Sequence, residues 1–91
     1  MENIAIYGAG DFGQRMFEVL KRIGGKVVFF VQSSEVDIKE RRGVPIISVE
    51  EYFRNNYDYI IFIAINNAAV VNEIYELFAQ KNYDRNKIFD G

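Results

Sequence analysis

The chain contains no cysteine and no histidine. The first absence excludes disulfides and thiolate nucleophiles. Together they remove zinc sites of the usual ligand set and the side chain most often used as a general base near neutral pH. No apolar run approaches the roughly 18 residues of a membrane span, and the start, Met1-Glu2-Asn3, carries no basic stretch of the kind that opens a secretion signal. The expectation is a cytoplasmic protein with no membrane span. Neither sign of charge dominates, since 11 basic and 13 acidic residues are mixed along the chain for a net charge of −2. With no basic stripe to neutralise a phosphate backbone, nucleic acid is not an expected partner.

What is present is a dense apolar pattern: 49% of the 91 residues are hydrophobic and 15% aromatic, enough to bury a core in one domain spanning residues 1–91. Short apolar runs alternate with helical patterns from end to end, as in a parallel sheet with helices packed on its faces. Strands are expected at residues 4–7, 27–31, 44–47, 59–65 and 87–89. Helical spacing of Met16, Phe17, Leu20 and Ile23 predicts a first helix, which Gly24-Gly25 should stop with a left-handed cap. Ser48 three residues before Glu51 is a capping box for a short helix over 49–55. Asn66 or Asn67 can cap a third, whose apolar face is Val70, Val71, Ile74, Leu77 and Phe78. The polar stretch 32–43 reads as a loop, and Pro45, the one proline, is tolerable if its strand lies at an edge. The implied fold is a Rossmann-like α/β domain of three layers. Its five-stranded parallel sheet has the order 3-2-1-4-5, with helices on both faces and a cleft at the carboxyl ends of strands 1 and 4.

Gly8-Ala9-Gly10-Asp11-Phe12-Gly13 directly follows the first strand and opens the first helix. In that context the G-x-G-x-x-G spacing is built for phosphate: Gly8 for the tight turn, Gly10 for close backbone approach, Gly13 for helix-strand packing. The helix start adds free N–H groups and the positive end of its dipole. A glycine turn with nothing bound is the plainer reading of the same residues. A dinucleotide site normally has Asp or Glu at the end of the second strand, where this chain has Gln32, with Glu35 or Asp37 near enough to substitute. Ser33, Ser34, Lys39, Arg41 and Arg42 can be read as a phosphate-binding run or as a solvated charged face, and the second is commoner. Tyr83 and Lys87 match the Tyr-x-x-x-Lys spacing of short-chain reductases, but on a polar turn, where the match reads as coincidence. Asn66 and Asn67 stand where the fourth strand delivers its carboxyl end to the cleft, as helix cap, ligand contact or both.

Three segments, Ile4-Ala5-Ile6-Tyr7-Gly8-Ala9-Gly10-Asp11-Phe12-Gly13, Gly43-Val44-Pro45-Ile46-Ile47 and Ile63-Ala64-Ile65-Asn66-Asn67, together resemble the N-terminal domain of bacterial sugar O-acyltransferases. The resemblance implies a site for a UDP-linked amino sugar, in surface-glycan (polysaccharide) biosynthesis, with catalysis left to a left-handed β-helix. This chain has no hexapeptide repeats and no histidine, so the expectation is a nucleotide-binding module without catalytic residues, acting with a catalytic domain or protein. Gly8, Gly10 and Gly13 would shape the phosphate site with Asp11 and Phe12 bordering it. Gln32 and Ser33 would meet the nucleoside, and Asn66 and Asn67 the sugar. Two departures stand out: Gln32-Ser33-Ser34 replaces the family's usual Asp residues, and Asn66 its usual glycine. Similar patterns occur in NAD-binding modules of redox-sensing repressors and in polysaccharide-biosynthesis dehydratases. An NAD(P)-binding domain of an oxidoreductase or regulator is therefore the alternative, and an interaction domain that has lost its ligand is a third.

Overall fold

The computed structural model describes residues 2–33 and 36–90. Its strands are β1 (Asn3–Tyr7), β2 (Lys26–Gln32), β3 (Glu40–Arg41), β4 (Val44–Ser48), β5 (Ile60–Ile63) and β6 (Ile88–Asp90), and its helices α1 (Asp11–Arg22), α2 (Val49–Arg54) and α3 (Ala68–Gln80). They form one sheet of order β3-β4-β2-β1-β5-β6. The expected all-parallel sheet of five strands is thus corrected to a mixed sheet of six. Pairings among β4, β2, β1, β5 and β6 are parallel, and β3 adds an antiparallel edge.

The additional strand comes from the stretch read as a loop. Arg41 pairs with Val44 across a two-residue turn in which Arg42 (φ 53°) and Gly43 (φ 80°) are both left-handed, the geometry of a type I′ hairpin. Asn or Asp usually announces the first of these positions. Arginine there hides the hairpin from a sequence reading, and its left-handed backbone costs about 1–2 kcal/mol. The hairpin also changes the account of Pro45. β4 is not an edge, because β3 covers it. Ile46 N–H donates to Lys39 O at 2.9 Å, so by strand alternation the nitrogen of Pro45 faces away from β3, one residue before the β2–β4 pairing begins at Ile46.

Strand alternation divides the core between the two faces. Ile6, Phe30, Ile46 and Ala64 meet Phe17 of α1, with Phe12, Met16 and Leu20 packed around them. Ala5, Tyr7, Phe29, Val31, Ile61 and Ile63 face α2 and α3 through Tyr52, Ile74 and Phe78. A bulge opposite Ile4 and Ala5 puts Val28 and Phe29 on the same face of β2. α1 ends in a Schellman motif at the glycines expected to stop it: Gly24 (φ 89°) donates to Lys21 O at 3.1 Å and Gly25 to Leu20 O at 2.7 Å. α2 and α3 start on Ser48 and Asn67, whose side-chain oxygens accept from Glu51 N and from Ala69 N and Val70 N. Among the described residues no helix is long and apolar enough to cross a membrane.

Candidate functional site

The loop between β1 and α1 is pinned on both sides. Gly8 N–H donates to Val31 O at 2.8 Å and Ala64 N–H to Tyr7 O at 2.9 Å, tying the end of β1 to its two neighbours. The three glycines meet different demands. Gly8 has φ 120°, and a Cβ there would lie 2.6 Å from the carbonyl oxygen of Ala64. At Gly13 a Cβ would lie 1.8 Å from the carbonyl oxygen of Gly8, so the first turn of α1 rests directly on the loop. Gly10 has φ −79° and ψ −161°, extended backbone open to any residue, and a Cβ there would meet nothing within 4 Å. The fold requires glycine at 8 and 13 and makes no such demand at 10.

Gly10 is also the N-cap of α1 and supplies no side chain to cap it, in contrast to Ser48 and Asn67 on the other two helices. The start of α1 therefore offers main-chain N–H groups and the positive end of a twelve-residue helix to whatever lies in front of it. Gln14 Nε2 steadies the loop by donating to Ala9 O at 3.2 Å. Asp11 lies exposed in the first turn, a carboxylate at the same positive pole.

An open cleft of about 260 Å³ brings Gly10 together with Gln32, Asp37 and Arg41, over Ala9 and Ile46. Of the residues singled out in the sequence, Gly10 and Gln32 meet here, and Asp37 supplies a carboxylate where Gln32 has an amide. Glu35 and Ser34 lie outside the described residues. Arg41 belongs to the charged run read as solvated, yet it lines the cleft. The Arg42-Gly43 turn, which sequence reasoning had no signal to find, forms the hairpin that brings Arg41 into the cleft with Gly10. Ser33 points elsewhere: its side chain hydrogen-bonds the Tyr7 phenol on the α3 side of the sheet. There it lines a cavity of about 140 Å³ with Tyr7, Glu73, Ile74 and Leu77. Burial raises the Tyr7 pKa, and the Ser33 bond partly opposes it. Phe12 packs against the α1-side core instead of bordering an open site. Asn67 caps α3 and Asn66 is exposed beside it; neither lines the cleft. The segment they end does reach the loop, because the Gly8 position abuts Ala64 and Ile65.

Tyr83 and Lys87 belong to the other end of the sheet. Tyr83 donates to the carbonyl of Tyr59, just ahead of β5, and lies 2.5 Å from the Tyr52 hydroxyl. Lys87 donates to Asp58 O at 2.9 Å. Their spacing is a structural coincidence, with the two side chains committed to different partners at the amino end of the strands.

Residues 3–78 match the family model of the PglD N-terminal domain. The chain belongs to that family. The resemblance read from the glycine loop and the two strand-end segments is thereby established, and with it a place among the N-terminal domains of PglD-like sugar acetyltransferases. No curated protein matches the chain. In this PglD N-terminal domain the matched residues include β1 through nearly all of α3, and hence every residue that lines the cleft beside Gly10.

Proposed function

We propose that this chain is a nucleotide-binding module that holds a UDP-linked sugar in glycan biosynthesis and contributes no catalytic residue of its own. One observation carries the reading: Gly10 is the glycine the fold does not need, and it stands where backbone must approach a phosphate. The uncapped start of α1 then supplies N–H donors to the diphosphate. Gln32 and Asp37 meet the ribose hydroxyls, and the sugar extends beyond the cleft toward the exposed Asn66. The family supports the choice of a sugar nucleotide and of an acetyltransferase as the catalytic partner.

A second reading, NAD(P), is favoured by Asp37, whose carboxylate sits beside Gln32 as the ribose acceptor of a dinucleotide site would. Parallel thermal-shift titrations with UDP-N-acetylglucosamine, NAD, NADP and coenzyme A separate the two. Ligand at a hundredfold excess over Kd adds about 2.7 kcal/mol of stability. Stabilisation by the UDP-sugar alone is the expected result. Stabilisation by NAD and not by the UDP-sugar replaces the first reading with the second, and no response to any of the four leaves an interaction domain without a nucleotide.

A further inference from the structure

We infer that Arg41 grips the ligand's phosphates from the hairpin side of the cleft, and that the Arg42–Glu18 ion pair is the positioning contact that holds it there. The inference rests on the nucleotide reading of the same cleft. Charge gives the first argument. The cleft carries Asp37 on its wall, and Asp11 lies exposed next to Gly10 at the start of α1, two carboxylates near an anionic ligand, while the helix start offers only partial positive charge. Among the described residues lining the cleft, Arg41 is the one cation. Its guanidinium is the side chain best shaped for phosphate, with paired N–H donors in a planar fork.

Position gives the second argument. Arg41 lies on β3, a two-residue strand held by β4 alone, so its place over the cleft depends on the hairpin staying down. The neighbouring turn residue provides the tie: Arg42 Nη1 lies 3.0 Å from Glu18 Oε1 on α1. The helix that presents its N-terminus to the phosphate thus also anchors the hairpin that brings Arg41. This gives a reason for arginine at a left-handed turn position where Asn, Asp or Gly is the ordinary choice. Both partners of the pair are roughly half exposed, 42% and 45%, so the tie is soft and weakened by salt.

Calorimetric titration of the chain with UDP, NAD, inorganic pyrophosphate and uridine tests this in the wild type, Arg41→Gln, Arg41→Lys and Glu18→Gln. Matched circular dichroism melts confirm that each variant is folded. Arg41→Gln should weaken whichever phosphorylated probe the wild type binds by about tenfold, the scale of one charge-assisted contact. Uridine should be unaffected, and Arg41→Lys should recover part of the loss. Glu18→Gln should weaken the same probe by about threefold at low salt, and the difference should fade as salt screens the pair. Equal losses for uridine and UDP, or unchanged UDP or NAD binding in Arg41→Gln, would overturn the role of Arg41 and leave the site assignment standing. If the wild type binds none of the phosphorylated probes, the nucleotide reading itself fails, and the role of Arg41 falls with it.

Discussion

At the scale of single residues, the glycine loop holds two glycines that the fold requires and one, Gly10, that it does not. Gly13→Ala places a methyl group into the Gly8 carbonyl, a contact no rotamer can relieve. It should destabilise the domain by about 3 kcal/mol, the upper end of overpacking costs, measured by urea denaturation. Gly10→Val should leave the unfolding free energy within about 1 kcal/mol of wild type, since its Cβ enters open space, while removing nucleotide binding. A midpoint loss as large as that of Gly13→Ala would mean that Gly10, too, is structural. Asp11 presents the opposite case, a residue good for the free helix and poor for an anionic ligand. Asp11→Asn should cost the free domain about 0.3–1 kcal/mol of dipole stabilisation and tighten phosphate binding, both readable from one thermal-shift series. The glycine roles were legible in the sequence because the loop is local. Asp37 and Arg41 were candidates in the sequence, but their meeting with Gly10 in one cleft was not legible, because it depends on a hairpin whose turn residue gives no sequence signal.

At the scale of elements, the amino end of the sheet is held by a closed ring of hydrogen bonds around Tyr59. Tyr59 N–H donates to the Tyr52 hydroxyl at 3.0 Å, and the Tyr83 hydroxyl donates to the Tyr59 carbonyl, which leaves Tyr52 as donor across the 2.5 Å gap to Tyr83. Both main-chain groups of Tyr59 are thereby satisfied where β5 has yet to begin its pairing. Burial pushes the Tyr52 phenol up to about 12 from 10.0, and burial with the Tyr52 bond moves Tyr83 in the same direction. The neutral phenols are the forms the fold favours. The Tyr52 contribution is therefore complete below pH 10 and is lost as pH rises through about 12, while that of Tyr83 persists to still higher pH. Alkaline titration followed by circular dichroism should show a loss of stability across that window, and Tyr83→Phe should lessen its steepness. The same variant should cost about 1–3 kcal/mol at neutral pH by leaving the Tyr59 carbonyl unpaired, with nucleotide affinity unchanged. A loss of affinity in Tyr83→Phe would place this network in the site after all. The polar turn already marked the Tyr83 and Lys87 spacing as coincidence in the sequence. The pairing of β5 with β6 adds where the two serve, at the far end of the sheet.

At the scale of the whole molecule, the sheet works as a divider. α1 covers one face and α2 with α3 the other, each over its own apolar cluster, while the loops at the carboxyl ends of β1, β2 and β5 gather at one rim. The α/β alternation was readable from apolar periodicity, because strands buried on both faces are apolar throughout. The sixth strand was not readable, because β3 is two charged residues long and owes its existence to β4. Which face Ser33 occupies likewise followed only from its bond to Tyr7. The central claim is that a sugar nucleotide binds at the carboxyl-end rim, with the tyrosine ring bracing the opposite one. Titration of the isotope-labelled chain with UDP-N-acetylglucosamine, followed by amide NMR, tests it most directly. The account predicts saturable shifts at Gly8 to Gly13, Gln32, Asp37 and Arg41, with Tyr59, Tyr83 and Lys87 unmoved and all shifts lost in Gly10→Val. Absence of shifts at the glycine loop, or shifts concentrated around Tyr57, Lys81 and Tyr83 at the opposite rim, would contradict it.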